Sequence, residues 1–168
     1  MPAKKHVLIA IGILAVVAWL ALTLTQKQTA PRIELTTLDG KQIALDSLRG
    51  KVVLVNFWAT SCPGCIKEMP QLVDTYRKYQ TRGLEVVAVA MSYDPPEYVR
   101  NYARQRNLPF AVALDSTGEA AMAFNQVKLT PTSFVIDKQG RIIQQTLGEL
   151  DFTRLHTLLE QHLGGAAS

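Results

Sequence analysis

Two cysteines three residues apart, Cys62 and Cys65, lie between a predicted strand and a predicted helix. The preceding run, residues 52–58, is almost continuously apolar and rich in β-branched and aromatic side chains, which is typical of a central strand covered on both faces. The following residues, 63–79, repeat apolar side chains at the three- and four-residue spacing of a helix. Both cysteines are therefore predicted to lie where a buried strand turns into a helix.

At the start of a helix, Cys62 would face unpaired backbone N–H groups and the positive end of the helix dipole, which favour a thiolate over a thiol. Such positions lower the pKa of a cysteine from about 8.5 into the range of roughly 3.5–7.5. Cys65 lies one turn further along the helix and is predicted to be less exposed. We therefore predict a redox-active pair in which Cys62 attacks a disulfide and Cys65 resolves the mixed disulfide that forms.

A structural disulfide and a zinc site account for the two cysteines less well. A disulfide that closes so short a loop restricts the unfolded chain little, so stability is a poor reason for it. A four-ligand zinc site would need two further ligands. The three histidines supply them poorly, because His6 lies in the N-terminal tail and His156 and His162 fall on different faces of a predicted helix. We predict no bound metal and no cofactor.

The N-terminal segment is strongly apolar. Residues 7–22 contain no polar side chain, and residues 23–25 extend the uncharged run to 19 residues. A helix of that length spans about 28 Å, close to the ~30 Å hydrocarbon layer of a bilayer. A cleaved secretory signal usually has an apolar region of about 7–15 residues and a small-residue cleavage site, and this run is longer with no clean site after it. We predict an uncleaved single-pass anchor over residues 1–25 that enters the membrane through residues 7–25, with a cleaved signal as the alternative.

Residues 26–32 are predicted to form a polar linker, and residues 33–168 a single domain. The formal net charge of +4 comes from the flanks of the apolar run (Lys4, Lys5, Lys27 and Arg32), because the domain carries 14 basic and 14 acidic side chains. A nucleic-acid surface needs clustered basic residues, so we predict no nucleic-acid partner.

The orientation of the predicted anchor is constrained less strongly. With basic residues at both of its ends, the positive-inside rule discriminates weakly between the two orientations. The short N-terminal tail and the long C-terminal body favour a domain that has been carried across the membrane.

The domain alternates strands and helices. The first predicted elements are a hairpin over 33–45 that turns at Asp39-Gly40, a helical turn at 46–49, a strand at 52–58 and a helix over 63–79 that is kinked at Pro70. They are followed by a strand at 84–91, a helix begun by Asp94, a strand at 111–114 and a helix over 119–125 capped by Ser116 or Thr117. The last elements are a hairpin of 132–137 with 141–147 and a helix from Asp151 to Leu163. Alternation followed by a terminal hairpin predicts an α/β domain whose mixed sheet carries helices on both faces.

Residues 53–70 (VLVNFWATSCPGCIKEMP) and 129–137 (LTPTSFVID) resemble the membrane-anchored thioredoxin-like proteins of the TlpA/ResA group. The resemblance runs from about residue 33 to the last helix. It includes an inserted strand and helix around 111–125 that simple thioredoxins lack. It implies a thioredoxin-like fold and thiol–disulfide exchange outside the cytoplasm, on the periplasmic side of a bacterial inner (cytoplasmic) membrane. In this group the protein usually reduces disulfides in protein substrates and is itself reduced by a membrane electron carrier. Cytochrome c maturation and a more general reducing role both fit this pattern.

The resemblance also implies roles for particular residues. Pro131 matches the cis-proline that faces the disulfide in this fold, and the backbone of the adjacent Thr130 can pair with an extended substrate. Glu68 matches the acidic residue three positions after the second cysteine, where it could take the proton that Cys65 must lose. Asn56 stands where ordinary thioredoxins place a buried aspartate, so that position cannot supply the acid–base group.

Two further positions are assigned to substrate binding. Ser61 replaces the tryptophan that commonly precedes the first cysteine, which leaves Trp58 as the nearest aromatic cover of the site. Pro63 lies between the cysteines, where the intervening residues tune the reduction potential.

Two alternatives use the same cysteines. A thiol oxidant would differ from a reductant in its reduction potential alone. A copper-binding thiol module of this fold would need a further ligand, and no histidine lies between His6 and His156. A peroxidase is disfavoured because no Thr-x-x-Cys motif precedes Cys62.

Overall fold

The computed structural model describes residues 28–164 and, before them, Gly12, Leu14, Val16 and Trp19. The strands are β1 (Glu34–Thr37), β2 (Gln42–Ala44), β3 (Val52–Trp58), β4 (Leu84–Ala90), β5 (Ala111–Leu114), β6 (Thr132–Ile136) and β7 (Ile142–Leu147). The helices are α1 (Pro63–Tyr79), α2 (Pro96–Gln105), α3 (Glu119–Ala123) and α4 (Phe152–Leu163), with 3-10 turns at Leu45–Leu48 and Gln80–Arg82.

The described strands form one mixed sheet in the order β2-β1-β5-β4-β3-β6-β7. Strands β3, β4 and β5 are parallel, whereas β6 runs antiparallel to β3, and β7 to β6. Phe57, near the end of β3, pairs with Thr132, the first residue of β6. The cysteine motif, which follows β3, and Thr130-Pro131, which precedes β6, therefore lie at the same end of these two strands.

Helices cover both faces of the sheet, as the alternation of elements predicts. Every residue of β3 is buried, and its side chains alternate between two cores. Leu54 and Trp58 face the core shared with α1, α2 and α4. Val55 and Phe57 face the opposite core, which contains α3 and the first 3-10 turn. A central strand buried on both faces is the physical reason for the unbroken apolar run in the sequence.

The predicted cap of α3 is wrong. The N-cap residue is Gly118 with φ +77°, a left-handed conformation that glycine adopts without strain, and not Ser116 or Thr117. The buried Asp115 carboxylate reaches past this turn and accepts hydrogen bonds from the N–H groups of Ala120 at 3.0 Å and Ala121 at 2.9 Å. The helix ends at Ala123, two residues earlier than predicted.

The other two predicted caps have different outcomes. The predicted cap by Asp94 is wrong, because α2 has Pro95 at its N-cap with no side-chain hydrogen bond. Asp151 caps α4 as predicted and accepts hydrogen bonds from the N–H groups of Thr153 and Arg154. Pro70 lies inside α1, which continues past it to Tyr79.

The predicted linker is in part paired with the domain. Ala30 N–H donates to Gly140 O at 2.9 Å, Ile142 N–H donates to Gln28 O at 2.7 Å, and Ala30 is buried. Most of the predicted anchor lies outside the described residues, so the anchor stays a prediction. Among the residues that the structure describes, no helix is both long and apolar enough to cross a membrane.

Candidate active site

Cys62 and Cys65 form a disulfide at the N-terminus of α1, with 5.3 Å between their Cα atoms. Cys62 is the N-cap residue, and its Sγ accepts a 3.2 Å hydrogen bond from the backbone N–H of Cys65. Pro63 follows at the first helical position, where no backbone hydrogen is needed. Cys62 is half-buried and Cys65 fully buried. This difference in exposure is what the predicted order of attack requires.

The loop before Cys62 is held by Asp94. Its Oδ2 accepts a hydrogen bond from the backbone N–H of Thr60, and its Oδ1 accepts one from the Thr60 hydroxyl, both at 2.6 Å. Asp94 is 4% exposed, so these bonds satisfy a carboxylate that has little contact with water. Asp94 thus ties the end of β4 to the segment that carries Cys62.

Glu68 lies one turn after Cys65 on α1 and is 2% exposed. Its Oε1 accepts a 3.0 Å hydrogen bond from the side-chain amide of Asn56, and its Oε2 accepts a 2.9 Å bond from the backbone N–H of Leu150. Burial raises the pKa of Glu68, the two hydrogen bonds oppose that shift, and the negative charge of Glu149 adds to it. A carboxyl group with a raised pKa one helical turn from a buried cysteine is suited to accept and return a proton.

Asn56 connects Glu68 to the strand that follows Pro131. Its Nδ2 donates to Glu68 and also to the hydroxyl of Ser133 at 2.9 Å. Its Oδ1 is buried and has no hydrogen-bond partner among the described residues. The position where ordinary thioredoxins place an aspartate is therefore occupied by a neutral amide that faces Glu68.

The Thr130–Pro131 peptide bond is cis, as the resemblance implied. Pro131 packs against the cysteine motif: its Cδ is 3.5 Å from the position that a Cβ on Gly64 would occupy. Thr130 is half-buried, and its hydroxyl lies 3.3 Å from the hydroxyl of the exposed Tyr93. Within the described part of the chain the backbone of Thr130 makes no hydrogen bond, which leaves it free to pair with an extended peptide.

The two remaining predicted site residues differ in exposure. Pro63 is exposed beside Cys62. Trp58 is fully buried, and its ring lies 5.3 Å from that of Tyr102 in the core. A side chain with no exposed surface cannot contact a partner directly, so Trp58 supports the site from inside, and Tyr93 is the exposed aromatic residue next to Thr130.

The structure brings both cysteines, Glu68 and Pro131 together at one end of the sheet, and the sequence did not predict the groups that hold them. A polar asparagine in an otherwise apolar central strand is a signal for a buried hydrogen-bonded partner, and it points toward the contact between Asn56 and Glu68. No local pattern predicts that Asp94 binds Thr60 or that the N–H of Leu150 binds Glu68. Among the described residues no cluster of three or more metal-ligating side chains is present.

A family model described as Redoxin matches residues 25–159. The chain belongs to the Redoxin family. The thiol-disulfide oxidoreductase ResA of Bacillus thuringiensis subsp. konkukian (strain 97-27) is 39% identical to this redoxin over 132 residues, which are 79% of this chain and 75% of that protein. ResA of Bacillus subtilis (strain 168) is 31% identical over 134 residues, or 80% of this chain and 74% of that protein.

Solved structures agree with these relatives. A thiol:disulfide interchange protein of the thioredoxin family from Chlorobium tepidum TLS superposes with a TM-score of 0.76 at 31% identity, over 83% of this chain and 99% of that one. StoA from Bacillus subtilis superposes with a TM-score of 0.65 at 26% identity, over 74% and 93%. Together the matches show that this redoxin has a thioredoxin-like fold and is an oxidoreductase that acts on thiols and disulfides.

Proposed function

We propose that this redoxin reduces disulfides in protein substrates outside the cytoplasm. The observation that carries the proposal is the arrangement around α1: a half-buried Cys62, a fully buried Cys65 and a buried Glu68 one turn further on. The half-buried sulfur of Cys62 attacks the substrate, the buried sulfur of Cys65 completes the exchange, and the buried carboxyl group of Glu68 accepts and returns the proton.

The reaction begins with the dithiol form. The Cys62 thiolate attacks one sulfur of the substrate disulfide, forms a mixed disulfide and releases the other substrate sulfur as a thiolate that takes up a proton. Cys65 passes its proton to Glu68, and its thiolate attacks the Sγ of Cys62. The second substrate sulfur leaves as a thiolate and takes up the proton held by Glu68, and the enzyme is left with the Cys62–Cys65 disulfide. Two electrons move from the enzyme to the substrate. A membrane electron carrier then supplies two further electrons, which reduce the Cys62–Cys65 disulfide to the dithiol.

The substrate contacts the exposed Pro63 beside Cys62 and the half-buried Thr130. The backbone of Thr130 has no hydrogen-bond partner within the described residues, so an extended segment around the substrate cysteine can pair with it while Pro131 packs against the motif. An extended segment of an unfolded or flexible protein meets this requirement. Apocytochrome c and less specialised disulfide-containing proteins both qualify as substrates.

Insulin reduction by the purified full-length chain, with a dithiol as electron donor, tests the activity. We expect the Cys62→Ser variant to fall to the uncatalysed rate, while Ser61→Ala, a matched change at the exposed neighbouring residue, keeps the activity. Retained activity in Cys62→Ser would overturn the mechanism. A reduction potential above about −150 mV against glutathione would instead identify a thiol oxidant.

The physiological partner is identified by trapping. The Cys65→Ser variant keeps the attacking sulfur but cannot resolve the mixed disulfide, so it should accumulate a covalent complex that a reductant releases. The Cys62→Ser variant is the matched control and should trap nothing. Recovery of an apocytochrome c favours a role in cytochrome c maturation, and recovery of many unrelated proteins favours a general reductant.

We further propose that residues 7–25 anchor the protein in the inner membrane with the domain in the periplasm. We expect the full-length protein to stay in the membrane fraction after alkaline extraction and to be digested by protease added to spheroplasts. A mature N-terminus located after residue 25, found by sequencing, would overturn the anchor in favour of a cleaved signal.

A further inference from the structure

The loop between β7 and α4, residues 148–151, contacts several separate parts of the active site. Gly148 N–H donates to Pro131 O at 2.8 Å, and Leu150 N–H donates to Glu68 Oε2 at 2.9 Å. Asp151 caps the following helix and so fixes the far end of the loop. Glu149 lies between these anchored residues, which restrict where its side chain can point.

The Glu149 carboxylate lies over the first turn of α1. Its Oε2 is 2.7 Å from the Nζ of Lys67, and its Cγ is 3.4 Å from the position that a Cβ on Gly64 would occupy. Gly64 stands between the two cysteines, and Lys67 directly precedes Glu68. A negative charge is therefore held beside the motif and near the buried carboxyl group, with a lysine as its counter-ion.

Among the described charged groups around Glu68, Glu149 is the one whose charge changes the pKa of Glu68. Besides Glu68, α1 contributes the two cysteines and Lys67. The strands β3 and β6 contribute the neutral Asn56 and Ser133, and the loop contributes Glu149 and, beyond it, Asp151. The charge of Glu149 acts in the same direction as burial and raises the pKa of Glu68.

We propose that Glu149 is a positioning residue of this active site: Lys67 holds its carboxylate against Gly64 of the cysteine motif, next to Leu150, whose N–H binds Glu68, and there it sets the electrostatic surroundings of Glu68. The proposal rests on the proposed role of Glu68 in proton transfer. Glu149 itself does not exchange protons with the substrate or the cysteines. The two members of the ion pair have opposite effects, because Lys67 offsets the charge that Glu149 brings.

Opposite signs provide a sharp test. In Glu149→Gln the negative charge is lost, and Glu68 should ionise at lower pH. In Lys67→Gln the Glu149 charge is no longer offset, and Glu68 should ionise at higher pH. The matched control is Glu160→Gln, because Glu160 is 48% exposed against 45% for Glu149 and pairs with Arg82 at the same distance of 2.7 Å. Arg82 lies just before β4, at the end of the sheet opposite the cysteines.

The measurements are the carbon-13 chemical shift of the Glu68 carboxyl group against pH in the oxidised full-length protein, and the rate of thiol alkylation against pH in the reduced protein. We expect the Glu68 midpoint to move down in Glu149→Gln, up in Lys67→Gln and not at all in Glu160→Gln. At a fixed pH near the midpoint, the alkylation rate should change by about two- to fivefold. Midpoints that stay unchanged, or that move in the same direction in both variants, would overturn the proposal.

A Glu68→Gln variant separates this proposal from the proposed function. If Glu68→Gln leaves the pH dependence of alkylation and of insulin reduction unchanged, the proposed role of Glu68 fails, and the proposal for Glu149 fails with it. If Glu68→Gln alters both profiles and Glu149→Gln alters neither, the role of Glu68 stands and only the proposal for Glu149 is wrong.

Discussion

The side-chain amide of Asn56 donates a 3.0 Å hydrogen bond to the carboxyl group of Glu68. Asn56 belongs to β3, which precedes the cysteine motif, and Glu68 belongs to α1, which begins directly after Cys62. The same amide carries a buried oxygen with no partner among the described residues. An amide can serve both protonation states of its neighbour: its NH₂ donates to a carboxylate, and after a half-turn its oxygen accepts from a carboxylic acid. Asn56 is therefore matched to the proton-transfer role that we propose for Glu68.

Replacing this amide by a carboxyl group should disturb the site. In Asn56→Asp a second buried carboxyl group faces Glu68, and two such groups share a proton because both cannot ionise easily. We expect kcat/KM for insulin reduction to fall about tenfold near pH 7 and its pH profile to shift to higher pH. Ser133→Ala, which removes the other partner of Asn56 without adding charge, is the control and should leave the profile in place. An unshifted profile in Asn56→Asp would contradict the coupling.

Glu68 should also make the stability of the domain depend on pH. Burial raises its pKa in the folded state, so the folded domain binds this proton more tightly than the unfolded chain does. The resulting stability is fully present below the pKa of the unfolded chain, near 4.5, and is lost as the pH rises through the folded pKa. We expect the free energy of unfolding of the oxidised protein to fall more steeply between pH 4 and pH 8 than that of Glu68→Gln.

The glutamine side chain has one oxygen where Glu68 has two, so losing an acceptor should cost about 1 kcal/mol at every pH. The comparison therefore uses the slopes of the two urea-unfolding series and not their absolute values. Parallel series would show that Glu68 does not titrate differently in the folded state.

The contact between Asp94 and Thr60 should be worth more than an exposed hydrogen bond. Asp94→Ala leaves the N–H of the half-buried Thr60 without its acceptor, which should lower the free energy of unfolding by about 2–3 kcal/mol. Thr60→Val removes the hydroxyl bond alone and should cost about 1 kcal/mol. Urea unfolding of both variants and of the double variant measures their coupling. Strictly additive losses would show that the two side chains do not act as a pair.

Asp137 should stabilise the turn between β6 and β7 in a pH-dependent way. Burial alone would raise its pKa, but hydrogen bonds from the side chain and backbone of Arg141 outweigh burial and lower it. The stability it adds is present above the pKa of the unfolded chain, about 3.8, and is lost as the pH falls through the lower folded pKa.

We expect Asp137→Ala to lower the free energy of unfolding by about 2–3 kcal/mol at pH 7, because it removes charge-assisted hydrogen bonds made by a buried group. The difference in the free energy of unfolding between Asp137→Ala and the wild type should become smaller as the pH approaches 3, because Asp137 then begins to take up a proton. Thermal unfolding over this range checks it, with Asp74→Ala on the exposed face of α1 as a surface control. A constant difference at all pH values would contradict the assignment.

Short-range patterns in the chain are enough to predict most of the strands and helices and to propose the reacting cysteines. Unbroken apolarity predicts β3 as a buried central strand, three- and four-residue spacing predicts α1, and Asp151 before its helix predicts a cap that the structure confirms. Helical geometry also puts Glu68 one turn after Cys65, and the resemblance to the TlpA/ResA group implies its role as an acid.

The tertiary structure decides which groups hold these residues. Asp94 and Asp115 are acidic residues near helix starts, and local rules predict Asp94 as a cap; packing instead turns Asp94 toward Thr60, 34 residues earlier, while Asp115 reaches past Gly118 to cap α3. The partner of Glu68, the N–H of Leu150, is 82 residues away. Local periodicity carries no information about such pairs, because their distance depends on the order of strands in the sheet and on the burial that forces each polar group to find a partner.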